Sequence, residues 1–256
     1  MADPIALYLV AAGQFHDIDF ARLELLKLLA ENSNIRVKVA DSYRDIEAIS
    51  NSKVLITYTC NLLPSEDEQL ALQKWVEDGG KWFALHGTNS ILEFLDGGGV
   101  NAPEIAPILM KTLGTQFIAH PPIQPFTVKT ADADHELVKG IGEFETDDEL
   151  YLSRIHGDIH QLLYADFSGK ATGFIEEDWL DTEKRPLYYI NKVGSGEVVY
   201  LNLGHCRGHY DMQPMLDYYP IIEKGSWDKP QFYELLRRGI RYCCGVEATK
   251  TGGHDE

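Results

Sequence analysis

Three histidines stand just past apolar runs. His16 follows residues 5–10, His86 follows Lys81-Trp82-Phe83-Ala84-Leu85, and His205 follows residues 197–203. An imidazole titrates near neutral pH, so it can give or take a proton; in its neutral form it binds divalent transition metals. In an open α/β sheet, ligands bind in the crevice beyond the carboxyl ends of the strands. If the apolar runs are parallel strands, all three rings reach that crevice. One histidine past a strand is commonplace; three at one edge make a candidate site. His86 is the clearest case, because Gly79-Gly80 ends the preceding helix and His86-Gly87-Thr88-Asn89 stops the strand abruptly.

The elements that must place these rings can be read in order. Residues 5–10 are apolar throughout, as in a strand buried on both faces. Asp17 or Asp19 can cap a helix whose Leu25, Leu26, Leu28 and Leu29 form an apolar face. Residues 35–39 and 53–58 give two more strands, the latter running out at Thr59-Cys60-Asn61. Ser65 and Glu68 stand in capping-box spacing, Leu72, Trp75 and Val76 recur at helical spacing, and Gly79 stops that helix. This alternation predicts a parallel sheet with right-handed crossovers. Further on, residues 102–113 read as a helix and 126–130 as a strand, with short strand ends at 147–151 and 161–166. Residues 186–192 and 197–203 read as a hairpin turning at Gly194-Ser195-Gly196. Pro230 opens a last helix, with Phe232, Leu235, Leu236, Ile240 and Cys243 on one face and Gly245 closing it. The expectation is a single domain over residues 1–247 and a disordered tail over 248–256.

Composition narrows the function classes. A chain of 256 residues is long enough for one sizeable core. Its net charge of −17 argues against a nucleic-acid partner, which needs a basic surface. No apolar run approaches bilayer length and no signal-like segment opens the chain, so no membrane association and a cytoplasmic location are expected. Cys60, Cys206, Cys243 and Cys244 show no CxxC spacing and suit free thiols.

With these segments placed, a family resemblance is visible. Leu85-His86-Gly87, then Gly114-Thr115-Gln116-Phe117 with His120-Pro121, then Asp134-His135-Glu136-Leu137 before Gly140-Ile141, resemble the ThuA-like (trehalose utilisation) family. Asp148-Glu149-Leu150-Tyr151 and Gly196-Glu197-Val198-Val199-Tyr200 with Gly204-His205 continue the likeness, which spans roughly residues 5 to 245. The resemblance implies an α/β fold: a flavodoxin-like three-layer sandwich with a mostly parallel sheet, similar to class I glutamine amidotransferases. It also implies a link to sugar catabolism. One departure matters. Amidotransferases of that class carry a cysteine nucleophile at the elbow after the fourth strand, and here the elbow is His86-Gly87-Thr88-Asn89. Cys60 ends the preceding strand without a neighbouring base, and adjacent strand residues such as His205 and Cys206 point to opposite faces. Glutaminase chemistry is therefore expected to be lost.

The resemblance also selects Glu149 from an acidic run that would otherwise read as solvated surface, and turns His120 toward the pocket. His86, His205 and Glu149 are then the candidate catalytic groups, with His16, His120, Asn89 and Tyr151 as candidate substrate-binding residues. His86, His120 and His205, together with Glu149, also have the ligand types for a divalent metal such as zinc, although no HExxH-like spacing is present. Without metal the same groups can serve as general acid and base at a sugar. Tyr151, Trp179, Tyr188, Tyr210, Tyr218 and Trp227 are aromatic surfaces that could stack on a sugar ring. The expected function is hydrolysis, elimination or isomerisation of a small carbohydrate-like substrate. The alternatives are a non-catalytic binding or sensing module, and residual thiol chemistry at Cys60. A homo-oligomer is expected by analogy with flavodoxin-like enzymes.

Overall fold

The computed structural model describes residues 3–246; the tail expected at 248–256 lies outside them. Eleven strands and five helices frame the site. The strands are β1 (Ile5–Gly13), β2 (Ile35–Ala40), β3 (Val54–Cys60), β4 (Lys81–Leu85), β5 (Thr115–Ala119) and β6 (Phe126–Thr130). They continue with β7 (Phe144–Thr146), β8 (Leu152–Ile155), β9 (His160–Asp166), β10 (Lys184–Val193) and β11 (Gly196–Leu201). The helices are α1 (Ile18–Ala30), α2 (Ile46–Ser50), α3 (Glu66–Glu77), α4 (Pro107–Leu113) and α5 (Pro230–Cys244).

The main sheet has nine strands in the order β2-β1-β3-β4-β11-β10-β9-β6-β7. The first five run parallel, as the β-α alternation requires, and the rest extend the sheet antiparallel from the β10–β11 hairpin. The parallel strands are apolar throughout because both faces are covered. On one face Leu7, Leu9 and Ile56 pack with Leu25 and Leu28 of α1 and Leu236 and Ile240 of α5. On the other, Tyr8, Val10 and Leu55 pack with Leu72, Trp75 and Val76 of α3 and Met110 of α4. Each fully buried leucine of this kind contributes roughly 1.5–3 kcal/mol of transfer free energy. The result is a flavodoxin-like three-layer sandwich.

Local signals behave as their chemistry dictates. Asp17 caps α1 by accepting from the Phe20 N–H, and Ser65 and Glu68 form the capping box of α3. Gly245 closes α5 in the left-handed region. Two expectations differ. The helix expected over 102–113 begins only at Pro107, and residues 147–151 are not a strand. Residues 148–151 form a buried connection, because Asp148 and Glu149 use their side chains inside the protein. A further feature positions the site: β5 and β8 lie outside the main sheet and pair as a separate antiparallel ribbon. His120 follows β5 and Tyr151 precedes β8, so this ribbon brings both over the carboxyl edge of the parallel strands.

Candidate active site

The carboxyl edge is a place of backbone strain. Phe15 after β1, Asn61 after β3 and His86 after β4 adopt φ of 68°, 55° and 44°, and are the non-glycine residues with positive φ among the described residues. Such conformations are uncommon, cost about 1–3 kcal/mol each and persist where the surroundings enforce them. The surroundings of His86 are visible. The Tyr200 hydroxyl donates to the His86 carbonyl at 2.6 Å and accepts from the Asn89 N–H at 2.9 Å. Gly87 is required by close approach: a Cβ there would lie 2.7 Å from the Thr59 carbonyl oxygen. The elbow is a single 3-10 turn, His86–Asn89, seated against the end of β3.

This edge brings together His16, His86, Glu149 and His205, each almost fully buried. One ligand-type atom from each lies within 4.8 Å of the others. His86 Nδ1 faces the Asn202 carbonyl oxygen at 2.9 Å, and its Nε2 faces His16 Nε2 at 2.8 Å. His16 Nδ1 faces the Gln14 carbonyl oxygen at 3.2 Å. His205 Nε2 faces Glu223 Oε2 at 2.8 Å, while its Nδ1 points inward, 3.3 Å from Glu149 Oε1. The Glu149 Oε2 atom lies 3.5 Å from His86 Nε2 and 3.6 Å from His16 Nε2.

Burial and charge divide the titrating groups. Burial pushes the His16 pKa down to about 3, so that ring is neutral. Burial also works against a charged His205, but the facing Glu149 charge and the Glu223 hydrogen bond outweigh it and raise the pKa to about 9. Burial alone would raise the Glu149 pKa; the facing His205 and His120 overcome it and hold the carboxyl well below the usual range. Glu149 is therefore a carboxylate at neutral pH.

A cavity of about 310 Å³ opens above this cluster. Phe15, Phe94, Phe117, Phe174, Met212 and Tyr219 give it a largely apolar wall, and His16, His120, Glu149 and Arg207 give it a polar floor. The His120 Nδ1 donates to the Pro121 carbonyl at 2.8 Å, and its Nε2 lies 3.7 Å from Glu149 Oε1. Tyr151 also lines the cavity, its hydroxyl 3.3 Å from His86 Nε2.

Of the expected site residues, His86, His205, Glu149, His16, His120 and Tyr151 meet here. Asn89 does not: it is buried and its Nδ2 donates to Thr115 Oγ1 at 2.7 Å, so it braces the elbow rather than a substrate. The ligand-type set also needs correction, for His16 replaces His120, whose ring sits on the cavity wall, one-quarter exposed. Of the aromatic residues considered for sugar stacking, only Tyr151 lines the cavity; Tyr188 and Trp227 are core. His209 stacks on Tyr218 away from the cluster, and His135 faces His160 elsewhere. Cys60 is buried, and burial first and then the Glu149 charge push its thiol pKa far above the usual range, which makes it a poor nucleophile. Cys206 turns from His205 to meet the Tyr58 hydroxyl at 3.1 Å.

Three functional residues were not singled out from the sequence. Arg207 donates to Glu149 Oε1 at 3.2 Å and to Glu223 Oε2 at 2.8 Å, tying the two carboxylates together. Its place in the same loop as His205 was the available signal. Glu223 lies in an irregular loop and gave none. Asp148 is a buried carboxylate that accepts from the backbone N–H groups of Glu149, Gly204, His205 and Ser226 and from the Ser226 hydroxyl. It fixes the backbone of Glu149 and His205 relative to each other.

Fold and site together define a flavodoxin-like α/β sandwich whose elbow after β4 presents a buried histidine. The chain belongs to the ThuA family, described as trehalose utilisation, whose sequence pattern matches residues 7–219. It is similar to a ThuA-like protein from Parabacteroides merdae ATCC 43184, with 17% identity and a TM-score of 0.68, covering 97% of this chain and 93% of that one. It is also similar to a ThuA-like protein from Bacteroides uniformis ATCC 8492, with 17% identity and a TM-score of 0.64, covering 95% and 93% of the two chains. A β-galactosidase from Rahnella sp. R3 shares the fold at 12% identity and a TM-score of 0.56, over 96% of this chain and 32% of its own. No curated protein matches the sequence. No helix among the described residues is long and apolar enough to cross a membrane.

Proposed function

We propose that the chain is an enzyme acting on a carbohydrate or an oxidised sugar by hydrolysis, elimination or isomerisation. The observation that carries this reading is the cavity floored by His16, His120, Glu149 and Arg207, with His86 and His205 packed directly behind His16 and Glu149. A protein that only packs its core has no use for an ionised buried carboxylate facing three imidazoles. The family's link to trehalose utilisation supports a sugar as the substrate class. The aromatic wall suits the apolar face of a sugar ring, and the floor supplies groups that give and take protons.

In this reading Glu149 takes a proton from, or electrostatically supports, the reacting carbon–oxygen centre. His205, charged and backed by Glu223, donates. His86 is held at the elbow by its Nδ1 bond to Asn202 and acts through His16 and Glu149, which its Nε2 faces. The test is incubation with trehalose and a panel of mono- and disaccharides and their oxidised derivatives, followed by NMR of the products. The expected result is a new product, whose rate falls by about 100-fold or more in His86→Ala and His205→Ala. A sugar that binds tightly and is recovered unchanged would instead support a non-catalytic binding module.

A further inference from the structure

The cluster has a feature that proton chemistry alone does not need. In each of the three histidines the outer ring nitrogen faces an acceptor: the Asn202 carbonyl for His86, the Gln14 carbonyl for His16 and the Glu223 carboxylate for His205. An acceptor requires an N–H opposite it, so the inner nitrogens of neutral His16 and His86 carry lone pairs, as does His205 Nδ1 once a metal ion displaces its proton. Two of these, His16 Nε2 and His86 Nε2, meet at 2.8 Å. Lone pair against lone pair at that distance is repulsive unless a cation lies between them. A proton could join those two atoms alone. It would leave His205 Nδ1, which is buried without a hydrogen-bond partner, and the Glu149 carboxylate on the far side of the same space.

We infer that His16, His86, His205 and Glu149 hold one divalent transition-metal ion, with its cavity side open to an oxygen donor of the substrate. The inference rests on the cavity being the substrate's, as proposed above, but the ion's binding can be measured without any substrate. Three imidazoles and one carboxylate form a borderline donor set that suits zinc and its first-row neighbours; calcium and magnesium take oxygen ligands instead. Zinc–nitrogen bonds of 2.0–2.1 Å allow two ligand atoms on one ion to stand up to about 4.2 Å apart. The separations of 2.8, 3.3, 3.5 and 3.6 Å within the cluster satisfy this. The 4.8 Å outer limit needs a closure of at most roughly 0.6 Å. Acceptors behind each histidine are the usual outer shell of such ligands, fixing tautomer and ring orientation. The substrate chemistry that fits the open side is a carbonyl or a pair of vicinal hydroxyls. With the ion bound, His205 and Glu149 serve as ligands, and His120, outside the ligand set, takes over the proton handling beside the ion.

The experiment is metal analysis of the full chain as purified, followed by chelator stripping and titration with Co²⁺ and with Zn²⁺ alone. The expected result is about one ion per chain and visible Co²⁺ bands of four- or five-coordinate geometry. His16→Ala and Glu149→Gln should each weaken Zn²⁺ binding by more than about 100-fold, the upper end of the loss caused by outer-shell changes, while His120→Ala retains the ion. No stoichiometric binding to the folded, stripped wild-type chain would overturn the inference, whether or not the variants fold. Binding unaffected by His16→Ala and Glu149→Gln would overturn it equally. If the ion binds but no sugar is turned over, the metal inference stands and the proposed reaction fails.

Discussion

At the scale of single residues, Asp148 carries the largest unadvertised load. Its two oxygens accept five hydrogen bonds with no cation among the described residues paired to them, and four of the donors are backbone N–H groups. An asparagine of the same shape would turn an N–H₂ toward some of those donors. Asp148→Asn should therefore destabilise the fold by about 3 kcal/mol, read from urea unfolding, and loosen the Glu149–His205 pair. A loss below about 0.5 kcal/mol would show that the clamp is not needed. The sequence placed Asp148 and Glu149 in one acidic run, Glu143 to Glu149, and a run of that kind reads as solvated. Glu143, Glu145 and Asp147 are indeed exposed. The two last carboxylates turn inward because the chain there crosses under the loops after β11, which local pattern cannot reveal. The same limit explains Asn89 and His16. Both lie at the right edge, but which one faces the cavity and which one braces the elbow depends on rotations within a single turn.

At the scale of elements, the elbow after β4 is held by β11. Tyr200→Phe removes the hydroxyl that bridges the His86 carbonyl and the Asn89 N–H, leaving two buried backbone groups unpaired. The expected cost is about 2–4 kcal/mol in unfolding free energy, with a fall in turnover, because His86 can then relax from its strained φ. Ser65→Ala makes the contrast. It removes the capping box of α3, far from the cavity, and should cost about 1 kcal/mol with turnover unchanged. If both variants lower turnover alike, the elbow has no special role. The caps, the parallel strands and the β10–β11 hairpin were legible because their signals are local: a serine three residues before a glutamate, a glycine-rich turn, continuous apolar runs. The β5–β8 ribbon was not, because its partners are distant in the chain and its residues do not alternate cleanly. That ribbon is what delivers His120 and Tyr151 to the site.

At the scale of the whole molecule, burial withdraws the thiols from solvent. All four cysteines are free and buried. A thiol reagent at neutral pH should label none of them in the native protein and all four after denaturation. Rapid labelling of Cys60 in the native state would revive nucleophilic catalysis. The histidine cluster is assembled from the ends of β1, β4 and β11 and from the connection before β8, so no short motif announces it. Only the shared carboxyl edge of a parallel sheet makes residues so far apart in sequence neighbours. Catalysis at this edge, unlike simple ligand binding, needs the Glu149 charge. Glu149→Gln keeps the shape of the side chain and removes that charge. Turnover of the sugar identified by NMR, measured at saturating sugar, should fall by about 100-fold or more. Full turnover in a folded Glu149→Gln protein would contradict the account.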